Sequence, residues 1–251
     1  MSHLQNIKVC LFDFGGTLFY MSPNSEEIFQ RFLRQENYLF SIEEIQKGIE
    51  KANRYYEESI VPQQKKENRY RTTEKEWIKY DTIVLKHLGI EDMEVVKAIQ
   101  KRWNQYMVTP TSKVKPFPEA CAVLEHLKCK GLILGVISNT EQNFRNELEQ
   151  HRMLDLFSTV LLSYEEKSRK PESDMFIKAC KELGVKPEEC IYVGDEWDKD
   201  VKGAKKVGIH PVWIRRKNSS NSDETPASNI NVDIIHHLTE LVTLLNKGRE
   251  Q

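Results

Sequence analysis

The chain has 251 residues, 39% hydrophobic and 30% charged, a balance that fits one or two globular domains and excludes a disordered or fibrous chain. Lys and Arg number 37 against 38 Asp and Glu, a formal net charge of -1, without the basic excess of a nucleic-acid-binding domain. The longest apolar run, Leu132–Ile137, falls far short of the roughly 20 residues of a membrane span, and Met1–Val9 has no apolar signal core. No membrane and no nucleic-acid partner is therefore expected. The five cysteines include no C-x-x-C pair, so neither a disulfide framework nor a zinc cluster is expected, and the reading is of a cytoplasmic protein.

Ile7–Phe12 is short, apolar and bounded by polar residues, the pattern of a buried strand. Asp13-Phe14-Gly15-Gly16-Thr17 follows it, and two glycines there signal a tight turn. From about Ser25 to Thr109 the character changes. Glu26–Leu33, Ile42–Tyr55, Thr73–Leu88 and Met93–Met107 carry apolar residues at helical spacing. Ser41-Ile42-Glu43-Glu44 and Thr73-Glu74-Lys75-Glu76 match the capping-box pattern of helix starts. This stretch reads as a helical unit inserted after the first strand.

Beyond Lys115-Pro116-Phe117-Pro118 the pattern alternates. Helices are expected over Ala120–Lys130, Gln142–His151, Ser173–Leu183 and Val201–Val207. Strands are expected over Leu132–Ile137, Thr159–Leu162, Cys190–Val193 and Pro211–Ile214. Lys217–Asn229 reads as a surface loop, Val232–Ile235 as a last strand and His237–Leu245 as a last helix. Such alternation implies a doubly wound, Rossmann-like α/β core with a parallel sheet. The expected division is 1–19 and 114–251 for this core and 20–113 for the insert.

In an open parallel sheet, ligands bind outside the carboxyl ends of the strands. The polar residues at those ends are Asp13, then Ser138, Asn139 and Thr140, then Ser163, Tyr164 and Lys170, then Asp195, Glu196, Asp198 and Asp200. Carboxylates beside backbone oxygens suit a hard cation, Mg2+ above all. A serine hydroxyl, backbone N–H groups and an ammonium suit the oxygens of a phosphate. An aspartate at a strand end can act as a nucleophile on phosphorus, and the cation would neutralise the repulsion between the two anions.

These residues resemble the motifs of the haloacid dehalogenase superfamily in its phosphatase branch. D-x-D-x-T is matched by Asp13-Phe14-Gly15-Gly16-Thr17 with one departure. A strand ending in Ser or Thr is matched by Val136-Ile137-Ser138-Asn139. The lysine motif is matched by Lys170-Pro171, and G-D-x-x-x-x-D by Gly194-Asp195 with Asp200. The four occur in order, each at a strand end, over about 1–19 and 114–216, and the insert has the position and character of the family's C1 cap. The resemblance implies a Mg2+-dependent hydrolase of a phosphorylated small molecule. Asp13 is then nucleophile and metal ligand, the carbonyl of Gly15 and the carboxylate of Asp195 are further ligands, and Lys170 is a catalytic and phosphate-binding cation. Ser138 and the Asn139 backbone N–H complete the phosphate site, while Asp200 and Thr17 support it from behind.

The departure is Gly15, where the family carries the aspartate that protonates the leaving group. General acid–base catalysis is worth about 10²–10⁴-fold, so three readings follow. Hydrolysis proceeds with a good leaving group or another acid, with Glu196, Asp198 or a cap residue as candidates. The chain hydrolyses a different bond, phosphonate or carbon–halogen. Or it binds a phosphorylated ligand with little turnover, as a regulatory protein would. In the insert, the basic run Lys65–Arg71 reads as a solvated face, and Phe32, Tyr55, Trp77 and Trp103 read as its core.

Overall fold

The computed structural model describes residues 4–108, 114–216 and 232–249, and the expected loop over Lys217–Asn229 lies outside them. The chain divides into two units, 1–20 with 114–251, and 21–113.

The first unit is built on strands β1 (Val9–Phe12), β2 (Phe19–Met21), β3 (Val114–Pro116), β4 (Ile133–Ser138), β5 (Thr159–Leu162), β6 (Cys190–Gly194), β7 (His210–Ile214) and β8 (Asp233–Ile235). Six of them form one parallel sheet in the order β5-β4-β1-β6-β7-β8. β2 and β3 pair separately where the chain leaves for the insert and returns. The chain winds outward from β1 through β4 to β5, then crosses to β6 on the other side of β1. That reversal is the topological switch point of a doubly wound sheet, where the crevice for a ligand opens.

β1 shows why it sits at the centre. All four residues are buried, and alternate side chains serve opposite faces of the sheet. Cys10 and Phe12 enter one core with Leu124, Leu134, Val193 and Leu241. Val9 and Leu11 enter the other with Phe176, Ala179 and Tyr192. Each face is covered by helices, which is why these strands read as continuous apolar runs.

Helices α1 (Ser25–Gln35), α2 (Ile42–Tyr55), α3 (Val61–Lys66), α4 (Glu74–His87) and α5 (Met93–Val108) belong to the insert. In the sheet unit lie α6 (Ala120–Cys129), α7 (Arg145–Gln150), α8 (Ser163–Glu166), α9 (Ser173–Leu183), α10 (Lys202–Val207) and α11 (Leu238–Arg249). Both expected capping boxes form, at Ser41 with Glu44 and at Thr73 with Glu76, and a third forms at Asn24 with Glu27. The insert has its own core of Ile28, Phe29, Leu33, Ile45, Ala52, Val84, Leu85 and Ile99.

Several expectations need correction. The helix after β4 begins at Arg145, not Gln142. Thr140 Oγ1 accepts from Gln142 N and Asn143 Oδ1 from Arg145 N, and such local side-chain bonds draw the backbone away from helix. The second helix continues through a widened turn, Tyr56–Ile60, into α3. There the Val61 N–H reaches back to the Tyr56 carbonyl, and Pro62, which has no N–H, follows. Trp77 is 40% exposed and stacks on Tyr56 at the surface, whereas Phe32 and Trp103 meet edge to face inside. In the basic run, Arg69 pairs with Glu67 and Glu76.

Candidate active site

The parallel register sets Phe12 beside Val136 of β4 and Val193 of β6. The next residues of the three strands, Asp13, Ile137-Ser138 and Gly194-Asp195, therefore emerge side by side. Asp13 N donates to the Val193 carbonyl at 2.9 Å, which continues the β1–β6 ladder up to the carboxylate. The chain then turns tightly. Leu18 N and Phe19 N both donate to the Phe14 carbonyl, and Gly16 N to the Phe19 carbonyl. Phe14 points inward, stacked between Phe19 and Phe144 with ring centroids 4.3 Å apart on each side.

The two glycines of this turn have different reasons to be there. Gly16 has φ of +70°, and a Cβ on it would lie 2.3 Å from Asp195 Oδ2. Gly15 is not left-handed, and a Cβ on it would meet nothing within 4 Å. Gly16 is demanded by geometry, and Gly15 is not. Gly194 is another close approach, since a Cβ there would lie 2.4 Å from the Asp200 carboxylate.

Lys170 is the hub. Its side chain is 1% exposed. Nζ donates to Asp13 Oδ1 at 2.5 Å, Asp200 Oδ1 at 2.7 Å and the Tyr192 hydroxyl at 2.8 Å. A buried ammonium is tolerable only when fully paired, and removing one member of such a network is costly. The Asn139 side chain holds the lysine's own peptide: Lys170 N donates to Oδ1 at 2.8 Å, and Nδ2 donates to the Lys170 carbonyl at 2.9 Å. Asn139 therefore positions Lys170, which leaves only its backbone N–H for a phosphate. Ser138, the last residue of β4, is buried beside it.

Asp200 is fully committed. Oδ1 accepts from Lys170 and, at 3.2 Å, from the Tyr192 hydroxyl; Oδ2 accepts from Glu196 N at 3.0 Å. One carboxylate oxygen of each of Asp13, Asp195 and Asp200 lies within 4.8 Å of the others. Asp200 is the most heavily bonded of the three, and Asp13 and Asp195 are the pair that could hold a cation. Thr17 is fully buried and its hydroxyl donates to Asp195 Oδ1 at 3.5 Å.

The electrostatics record crowding. Burial pushes the Asp13 carboxyl up to about 7, against the pull of Lys170 and with the Asp200 charge adding to the rise. Burial and then the Asp13 charge hold Asp195 well above the ordinary carboxylate range. Burial alone would lower Lys170, but Asp13 and Asp200 keep it above an ordinary lysine. Three buried carboxylates share one ammonium, and the donors are all oxygen. That set fits a divalent hard cation, which would relieve the remaining repulsion.

Two contributors lie outside the strand-end residues. Tyr192, within β6, has one hydroxyl proton to share between the Ile137 carbonyl at 3.0 Å and Asp200 Oδ1 at 3.2 Å, while its oxygen accepts from Lys170. Trp213, within β7, donates its indole N–H to the Asp195 carbonyl at 2.9 Å. In sequence both are apolar-run aromatics, and no signal separates them from core. The two candidate acids each have a lysine partner about one turn further on, Glu196 with Lys199 at 3.0 Å and Asp198 with Lys202, while the Glu196 charge still reaches Asp13 and Asp195.

The family described as haloacid dehalogenase-like hydrolase matches residues 10–214. A glyceraldehyde 3-phosphate phosphatase of Methanopyrus kandleri is 34% identical over 57% of this chain and 63% of its own length, so the chain spans less than two thirds of that relative. A hydrolase of the same family from Deinococcus radiodurans R1, solved with bound phosphate and sodium, superposes with a TM-score of 0.71 at 17% identity, covering 97% of each chain. The L-2-haloacid dehalogenase of Xanthobacter autotrophicus superposes with a TM-score of 0.65 at 20% identity, covering 96% of this chain and 98% of its own. Both solved structures are alike in fold.

Proposed function

The chain belongs to the haloacid dehalogenase-like hydrolases, and from that premise we propose that it is a Mg2+-dependent phosphatase of phosphorylated small molecules. The observation that carries this reading is the buried Lys170 knot with Asp13 and Asp200, set beside Asp195 at the switch point of the sheet. A binding site for phosphate needs cations and N–H groups; it has no use for a carboxylate facing the phosphorus. Relatives such as the Methanopyrus kandleri protein act on phosphate monoesters, which points the same way.

In this mechanism Asp13 attacks phosphorus, forming an aspartyl-phosphate as the bond to the leaving group breaks. Lys170 holds the Asp13 carboxylate in line and stabilises the transferring oxygens together with Ser138 and the Asn139 N–H. Mg2+, held by Asp13, Asp195 and the Gly15 carbonyl, would screen the charge between nucleophile and phosphoryl group. Asp200 and Tyr192 fix Lys170, and Thr17 steadies Asp195. Water then releases phosphate from Asp13. The helical insert, as a C1-type cap, would select the substrate.

Gly15 favours a second reading, binding of a phosphorylated ligand with little turnover, because no side chain at that position supplies a proton. One measurement separates the two. Purified protein is screened against phosphorylated metabolites, including three-carbon phosphates and phosphoserine, for phosphate release with Mg2+ and with excess chelator. Turnover that needs Mg2+ supports the phosphatase. Ligand binding with no release across the panel supports the second reading, and full activity in chelator refutes the metal-dependent mechanism.

A further inference from the structure

Arg216 lies two residues beyond the end of β7, 200 positions from the Asp13 turn, yet its guanidinium is committed to that turn. Nε donates to the Gly16 carbonyl at 3.2 Å and Nη2 to the Thr17 carbonyl at 2.8 Å. The third nitrogen, Nη1, donates to Glu119 Oε1 at 2.9 Å. The plane lies over the Phe117 ring, 3.4 Å from its centroid. The Arg216 and Glu119 side chains are only 11% and 8% exposed. A planar fork with fixed N–H directions, stacked on one side and ion-paired at the end, has little freedom left. A lysine would reach one carbonyl as a point charge; it would not span two.

We propose that Arg216 is a positioning residue for the metal-binding face of the Asp13 turn, an inference that rests on the metal-dependent reading above. Two successive peptide planes are held, those carrying the Gly16 and Thr17 carbonyls. The plane immediately before them carries the Gly15 carbonyl, the backbone ligand of the proposed cation. Gly16 has no Cβ to stiffen it and sits at φ +70°, and the peptide that carries the Gly15 carbonyl is otherwise held through its N–H, which Gly16 donates to the Phe19 carbonyl. The guanidinium supplies from outside the rigidity that the two glycines lack. Groups that orient ligands from behind are worth about 10–100-fold in metal affinity.

The test uses the full chain with Arg216→Ala and Arg216→Lys. Mg2+ affinity is measured by calorimetry without substrate. Amide hydrogen exchange is followed at Gly16, Leu18 and Phe19, whose N–H groups close the turn. Arg216→Ala is expected to weaken Mg2+ binding about 10–100-fold and to speed exchange at those amides, with Arg216→Lys intermediate. At saturating Mg2+, kcat should fall while KM stays near wild type, and added guanidinium ion should restore part of the loss in the alanine variant. A brace that serves only the fold would lower the melting temperature and leave Mg2+ affinity and turn exchange unchanged, and that result overturns the proposal. If wild type binds no Mg2+, the phosphatase reading fails first, and exchange at the turn alone decides whether Arg216 positions it. If the alanine variant does not fold, wild-type Mg2+ affinity in Arg216→Lys is the refuting result.

Discussion

Restoring a carboxylate at position 15 is the perturbation most specific to this chain. The geometry permits it. A Cβ at Gly15 meets no atom within 4 Å and the backbone there is not left-handed, so Gly15→Asp introduces neither a clash at Cβ nor strain in φ. The neighbouring Gly16→Ala is the opposite case, with its Cβ 2.3 Å from Asp195 Oδ2 at φ +70°. It serves as the control that should disrupt the site. A positioned general acid contributes about 10²–10⁴-fold, or about 3–5 kcal/mol at 1.36 kcal/mol per decade. That contribution is largest where the departing oxygen is most basic.

The assay is kcat/KM across a series running from nitrophenyl through phenyl to alkyl phosphates, with Mg2+ binding measured in parallel to show that the site is intact. Wild type should depend steeply on leaving-group basicity, because Gly15 supplies no proton and Glu196 and Asp198 are each ion-paired with a lysine one turn further on. Gly15→Asp should flatten the dependence by accelerating alkyl substrates most. A wild-type enzyme indifferent to leaving group refutes the reasoning, since a proton donor must then already be in place. So does a variant that binds Mg2+ normally and gains equally on every substrate.

Two further predictions follow from the same geometry. Asp13→Asn keeps shape and leaves Lys170 paired with Asp200 and Tyr192, so the protein should fold and bind its substrate while turnover falls to background; near-wild-type turnover would exclude the covalent route. In the insert, Asp81 is 2% exposed, accepts from the Gln100 amide, and is pushed up by burial from 3.8 to about 7. A carboxyl raised in the folded state stabilises fully below its unfolded value and loses that contribution as pH rises towards 7. The rise corresponds to about 4 kcal/mol at most. Asp81→Asn should therefore raise the melting temperature at pH 8 and leave it nearly unchanged at pH 4, and equal effects at the two pH values would refute the assignment.

The legible part of this protein is the part governed by short-range rules. Strand β1 is four apolar residues ended by an aspartate and two glycines, and the alternation of the later elements implies a parallel sheet, while the order of its strands comes from the structure. Once β4, β1 and β6 are neighbours, Asp13, Ser138 and Asp195 share one rim without further information. Period-2 patterning says which face a side chain takes; it carries nothing about where a hydroxyl or indole N–H sends its hydrogen bond. Tyr192 and Trp213 lie within apolar runs and by burial belong to the core, although one steadies Lys170 and the other the Asp195 carbonyl. Asn139 is visible as a strand-end polar residue, but its engagement with the Lys170 peptide depends on positions 31 apart in the chain closing to hydrogen-bond distance. Arg216 is the extreme case, because a cation just past a strand is usually solvated. Its role appears only when β7 carries it to a turn 200 positions away. The turn gains from such a partner for the same reason that it is easy to find in sequence: Gly16 permits the approach to Asp195, and two consecutive glycines give the backbone little stiffness of its own.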